Sequence, residues 1–349
     1  MYSKKDLMRY SGSLQQIVYV RPIIYYEGRS KGLKAYDVKN GKMSFRVLAD
    51  KCLDVSEFSY AGINMSFLSK PGLQGLAHYD TNGAEAQRSI MGGFFFTAGL
   101  ENICAPCNIN GVDYPMHGRI RTTPAEHLSS DAFWENDEYK IKISGEMREA
   151  ALFGENLILR RSIETKYGSK SFVLTDEFEN EAFRSEVLML LYHINIGWPF
   201  LDEHTNLYIP TSKITPRNSD AEGHEENYNF MDAPKDNEPE YVFIHDIKAD
   251  KNKDTEVIAV NTKLKLGLKI AWNTKYLPYF MQWKSTASGD YVIGLEPANS
   301  LVHGRVWHEE HGNIHKIAPF TKEKNILVFT ILDGEEEIKE AVTAFENKF

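Results

Sequence analysis

The sequence predicts an all-β chain, a large antiparallel sandwich with a few helices at its edge. Three observations carry that expectation. Charged and apolar residues alternate in Lys263-Leu264-Lys265-Leu266-Gly267-Leu268-Lys269-Ile270 and again in Tyr139-Lys140-Ile141-Lys142-Ile143, the period of a strand with one wet face. Strand-like runs recur at Ser44–Leu48, Leu157–Thr165, Phe172–Phe178, Val187–Tyr192, Tyr241–Ile244, Tyr291–Leu295 and Ile326–Ile331, with short polar turns such as Val38-Lys39-Asn40-Gly41 and Tyr167-Gly168-Ser169. No helical pattern alternates with them, which argues against a parallel α/β sheet.

Helices are expected only at the periphery. Within Glu335–Phe349, Ile338, Ala341, Val342 and Phe345 fall at i, i+3, i+4 and i+7, one apolar stripe of a helix. Lys4–Tyr10 reads as another short helical turn. Residues 216–240, rich in Asn, Asp, Glu and Pro, suit a long surface loop that rims a site. No repeat, low-complexity tract or linker divides the chain, so one domain over residues 1–349 is expected.

Composition narrows the function. Hydrophobic residues make up 42% of the 349 and aromatic residues 12%, enough for a sizeable core. The net charge is −9 with the cations dispersed, which lacks the concentrated positive face that nucleic acid requires. No run approaches the ~18 apolar residues of a membrane span, and the N-terminus lacks a signal-peptide core. A cytoplasmic protein acting on a small polar molecule is expected, with neither nucleic acid nor membrane as partner. Cys52, Cys104 and Cys107 are too few for a disulfide framework. Cys104-Ala105-Pro106-Cys107 has no second pair to complete a zinc site, so packed, reduced thiols are the expectation.

Three segments carry candidate chemistry. In Ile293-Gly294-Leu295-Glu296-Pro297, Ile293 and Leu295 should face the core and Glu296 the opposite, open face. A carboxylate there suits a general base; the competing reading is a solvated strand-end Glu. Leu191-Tyr192-His193-Ile194-Asn195 ends an apolar strand with His193 and Asn195 on one face, followed by Trp198-Pro199 as an apolar wall. Met116-His117-Gly118-Arg119 sets a ring donor, a close-approach backbone and a cation side by side, groups that suit sugar oxygens. Lys51, Asp54 and Gln282 are further candidate substrate contacts. His303, His308, His311 and His315 match no zinc spacing, and no metal is expected.

These segments together resemble the aldose 1-epimerase (galactose mutarotase-like) superfamily, in a divergent bacterial branch. The resemblance rests on Gly32–Asp54 with its Arg-Val-Leu-Ala-Asp-Lys-Cys-Leu-Asp core, on His117-Gly118-Arg119, on Tyr192-His193-Ile194-Asn195-Ile196-Gly197, and on Gln282-Trp283 followed by Gly294-Leu295-Glu296-Pro297. It implies a galactose mutarotase-like β-supersandwich with a sugar cleft on one concave face, and a reaction that needs no cofactor. It also implies roles: Glu296 as the base on the anomeric hydroxyl, His193 as the acid on the ring oxygen, and His117 as a substrate-polarising histidine. Arg119, Lys51, Asp54, Asn195, Trp198 and Gln282 would complete the substrate contacts. The implied partner is a small-molecule sugar, and a homodimer is compatible with the reading. On this view His193 is protonated and Glu296 ionised at neutral pH. Two alternatives stay open: a binding protein that lost the reaction, and a metal-dependent sugar isomerase or lyase using the 303–315 histidines.

Overall fold

A computed structural model of the chain describes residues 3–75 and 83–349. Two antiparallel sheets dominate it. In the first, Val18–Ile24, Lys34–Asn40, Met43–Leu48, Asp54–Tyr60, Phe95–Leu100, Met189–Ile196, Val292–Ala298, Tyr279–Ser285, Tyr241–Ile247 and Thr211–Pro216 lie side by side in that order. The second runs Glu126–Glu135, Glu138–Ala150, Asn156–Lys166, Ser171–Asn180, Lys322–Asp333, Leu266–Asn273, Asp254–Asn261 and Thr205–Tyr208. Sequence neighbours pair at both ends of the first sheet and along the first four strands of the second, as hairpins should. The middle strands come from distant parts of the chain, so Met189–Ile196 sits between Phe95–Leu100 and Val292–Ala298.

The two sheets meet through aromatic side chains. Phe58, Phe94 and Phe95 of the first layer pack on Phe172 and Phe329 of the second, with the Phe172 and Phe329 rings stacked at 4.5 Å. Strand burial follows position. In Ser171–Asn180 every second residue is buried, the signature of one covered face. All eight residues of Met189–Ile196 and all seven of Val292–Ala298 are buried. These central strands are covered twice: by the inter-sheet core on one side, and on the other by a second apolar cluster that includes Phe96, Met189, Leu191 and Met281.

The C-terminal helix, Glu335–Lys348, lays Ile338, Ala341, Val342 and Phe345 on Ile258, Val260 and Leu332, as its spacing predicts. Lys4–Tyr10 is a short helix capped by the Ser3 hydroxyl, and Arg305–Glu310 is a third. Among the described residues no helix is long and apolar enough to cross a membrane. One expected strand is shorter than its pattern. The alternation from Lys263 begins in a turn, where Asn261 Oδ1 accepts from the Leu264 amide and Lys265 takes a positive φ, so pairing starts at Leu266.

Candidate active site

Register and the two-residue period build the site. Along Met189–Ile196 the side chains of Tyr192, Ile194 and Ile196 enter the inter-sheet core, so His193 and Asn195 project from the opposite face. Ile293 and Leu295 likewise enter the core, leaving Gly294 and Glu296 outward. Asn195 pairs with Gly294, which pairs with Trp283 on the next strand, and His193 pairs with Phe96. One patch of sheet therefore carries a histidine, an amide, a carboxyl and an indole.

His193 Nε2 lies 3.2 Å from Glu296 Oε1. At the ring's other end Nδ1 is 2.6 Å from Asn195 Oδ1, while the Asn195 amide donates to the His193 carbonyl at 3.0 Å. That second bond assigns the amide oxygen toward the ring, so Nδ1 carries a proton and Nε2 is the nitrogen that faces Glu296. Phe96 stacks on the imidazole at 4.6 Å. Gly294 makes the approach sterically feasible: a Cβ there would stand 2.6 Å from Glu296 Oε1 and 3.2 Å from His193 Cε1.

His117 reaches the same patch from a loop, its ring 5.7 Å from that of His193. Both His117 and Gly118 have positive φ. Any side chain at 118 would collide with the Gly99 carbonyl, 1.8 Å from the Cβ position, which accounts for the His-Gly step. The Cys104 amide donates to His117 Nδ1 at 3.3 Å, so a neutral His117 holds its proton on Nε2, as a donor.

Burial sets the charges. It depresses His193 to about 4, with the Asn195 contact opposing it, and pushes Glu296 up to about 8, with Glu240 adding to the rise and Arg217 opposing it. His117 is held well below the ordinary imidazole value by burial and by His193, Arg121 and Arg217. This reverses the sequence expectation of an ionised Glu296 beside a protonated His193: burial penalises the charged form of both. At neutral pH Glu296 keeps its carboxyl proton and His193 Nε2 is unprotonated, so the pair is uncharged.

These groups open into a cavity of about 550 Å³. Trp283 forms a wall, its indole N–H donating to Glu240 at 2.7 Å. Arg217, held by the Val302 carbonyl and Cys104 Sγ, and Glu240 line the cavity from near the two ends of the stretch 216–240 expected as a loop. His117, His193, Asn195 and Glu296 are thus brought together.

Five other predicted contacts lie outside the cavity lining. Asp54 is fully buried between the sheets, bound to Arg161 and Thr97. Gln282 also faces inward, bonded to His245 and the Tyr228 carbonyl, because one residue along a strand reverses the face; its neighbour Trp283 is the one in the site. Arg119 turns away to Glu101 and the Asp113 carbonyl. Lys51 is buried, its amine lowered to about 8 by burial and by Arg121. Trp198 is 71% exposed and lines a neighbouring groove. Of the four C-terminal histidines, His303, His308 and His311 pack around the Trp307 ring rather than on one another; His308 caps the Leu301 amide, His311 meets the Trp307 carbonyl and His315 pairs with Glu323. Among the described residues no group of three or more ligating side chains could hold a metal.

Sequence reasoning missed Phe96, Arg217 and Glu240 as site residues. Phe96 lies in Phe-Phe-Phe-Thr-Ala, with no polar marker, and the other two sit in an irregular loop whose geometry has no period to read.

The architecture is that of a galactose mutarotase-like protein. By its residues 30–331 the chain belongs to the family of the domain of unknown function DUF4432. A Klebsiella pneumoniae protein provisionally named an aldose 1-epimerase has a similar structure, with a TM-score of 0.89 at 22% identity over 94% of this chain and 87% of that one. A galactose mutarotase-like protein from Clostridium acetobutylicum aligns at 0.64 and 13% identity, over 91% of this chain and 99% of that one. A galactose 1-epimerase from Lactobacillus acidophilus aligns at 0.58 and 14% identity, over 91% and 100%. No curated protein matches the chain.

Proposed function

We propose that the protein is an aldose 1-epimerase-like isomerase that interconverts the anomers of a sugar held in the cavity. The observation that carries this reading is the His193–Glu296 contact of 3.2 Å at the cavity floor. A buried acid–base pair with one member protonated and the other not is what ring opening needs. One member takes the proton from the anomeric hydroxyl while the other gives its proton to the ring oxygen, and the C1–O5 bond breaks. The open-chain aldehyde turns about C1–C2, and closure returns both protons. The pair ends with the proton count it began with. In the uncharged resting form His193 Nε2 is the acceptor and Glu296 the donor, and closure runs with these roles exchanged.

The remaining residues fit subsidiary parts. His117 offers an Nε2–H to a sugar oxygen, and Trp283 and Phe96 supply apolar walls. Glu296 Oε1 is buried without an aligned hydrogen-bond partner, and a bound hydroxyl would satisfy it. No step needs a group beyond the side chains. Domain extent, residues 1–349, and a cytoplasmic setting belong to the same proposal.

Glu296→Gln tests it. The substitution keeps the shape and removes the carboxyl that gives up a proton on ring opening and takes it back on closure, so anomer exchange measured by NMR over a panel of aldoses should fall about 10²–10⁴-fold while sugar binding persists. Exchange at the wild-type rate in the variant would refute the assignment, and wild-type binding without acceleration for any sugar would favour a non-catalytic carbohydrate binder.

A further inference from the structure

The cavity holds a charge that anomerisation does not use. The Arg217 amide donates to the Val242 carbonyl at 2.9 Å, which sets Arg217 in line with Val242, Trp283 and Gly294 across the sheet. Its backbone is thus three strand spacings of ~4.8 Å from Gly294, and its side chain leans back over that gap. Nε donates to the Val302 carbonyl at 2.9 Å and Nη2 to Cys104 Sγ at 3.2 Å. The Cys104 amide in turn meets His117 Nδ1, so the guanidinium stands beside the histidines of the floor.

Both of those partners are uncharged: a carbonyl, and a thiol that burial holds in its protonated form. Among the described residues Arg217 forms no ion pair, and the rest of its five N–H donors are uncommitted. The other charges in the lining are already spent or wet. Lys70 pairs with Asp290 at 2.6 Å, both largely exposed, and Glu240 is exposed and accepts from the Trp283 indole. The floor itself is neutral, because Glu296 keeps its proton and His193 lacks a second one. What remains is a half-buried guanidinium fork, pinned at one edge and open at the other. Such a fork matches the two oxygens of a carboxylate.

From this arrangement we infer that Arg217 receives a carboxylate carried by the sugar, and that the substrate class is the hexuronates in preference to neutral hexoses. The inference rests on the anomerisation reading above. With C1 and O5 at His193 and Glu296, the C6 group hangs from C5, the ring carbon bonded to O5, and stays on the reacting side of the ring. A carboxylate at C6 meets the guanidinium while the C1–O5 bond opens beside it. The uncharged dyad is part of the fit, since an ionised Glu296 would repel that carboxylate. A phosphate ester brings a second negative charge, and among the described residues the lining offers no further unpaired Lys or Arg to meet it.

Calorimetric binding to the Glu296→Gln protein measures recognition apart from catalysis, with galacturonate and glucuronate against galactose and glucose at one ionic strength. At least one hexuronate is expected to bind about tenfold more tightly than its neutral hexose, or better. Arg217→Gln in the same background should bring that ratio close to unity. Arg217→Lys, which keeps the charge and loses the fork, should retain part of it. A ratio near unity with Arg217 in place, or a ratio that Arg217→Gln leaves intact, overturns the carboxylate site. Tighter binding of glucose 6-phosphate or galactose 6-phosphate than of either hexuronate overturns it too. If the hexuronate preference is present and depends on Arg217 while the wild-type protein accelerates no anomer exchange, the carboxylate site stands and the isomerase reading falls. Acceleration of neutral aldoses alone does the reverse.

Discussion

Adjacent residues of one strand serve two buried polar clusters that are built on opposite terms. Tyr192 faces the inter-sheet core, where its hydroxyl donates to Asp176 at 2.7 Å. There Arg161 is sealed from solvent and uses all five N–H donors: on both Asp176 oxygens, on Asp54, on Thr97 Oγ1 and on the Cys52 carbonyl, at 2.6–2.8 Å. His193 faces the other way, onto a carboxyl whose nearer oxygen lacks an aligned partner. Both clusters bear the desolvation cost of buried ionisable groups. Only the first recovers it within the fold. A fully satisfied network specifies the packing of two sheets, whereas an unsatisfied one beside a cavity is left for something that arrives.

Removing one member from each side should therefore break the symmetry. Arg161→Met strands two carboxylates between the sheets and is expected to cost about 3–5 kcal/mol of stability, read by urea unfolding. Glu296→Gln should change stability by less than about 1 kcal/mol, since its side chain is uncharged at neutral pH and pairs with only one group. If the two variants were equally destabilised, the dyad would be scaffold and the contrast would be lost.

Gly294→Ala sharpens the same point without touching a titratable group. Its Cβ would displace Glu296 Oε1 from a 2.6 Å approach, and misplacement on the order of 1 Å can cost about 10²-fold in rate. Anomer exchange should drop by that order. The unfolding midpoint should move far less than in Arg161→Met, because Glu296 lies at a cavity and has room to shift.

The difference between the clusters also explains what was legible in the sequence. The sandwich could be read because its outer strands, such as Ser171–Asn180, are covered on one face and keep a clean period of two. His193, Asn195 and Glu296 were found because the same period puts them opposite core residues. The period gave no such help at Phe94-Phe95-Phe96, where three like side chains leave no polar marker to tell one face from the other, so Phe96 was not singled out. Asp54 and Gln282 were polar and well placed along the chain, yet both turned inward, and facing could be decided only once each strand's neighbours were known. Arg217 and Glu240 needed the course of a loop. The protonation of the pair was misjudged for a different reason: charge partners can be guessed from residue types, but burial comes only with the fold.

The pH dependence separates the paired from the unpaired cluster by the smallest effect, a tenfold change per pH unit. Glu296 is raised to about 8, so it keeps the dyad's proton through neutral pH and loses it as pH rises past that value, leaving no acid. His193 is lowered to about 4 and gains a second proton only as pH falls below that, leaving no base. The rate of anomer exchange under kcat/KM conditions should be level between these limits and fall about tenfold per unit beyond each. Asn195→Asp moves one limb alone. A carboxylate on Nδ1–H favours the imidazolium, so the acid limb should shift upward while the alkaline limb stays near 8. If neither limb moved, the Asn195–Nδ1 bond would not govern the histidine. If the wild-type profile were flat from pH 3 to 10, neither His193 nor Glu296 would move a proton in turnover.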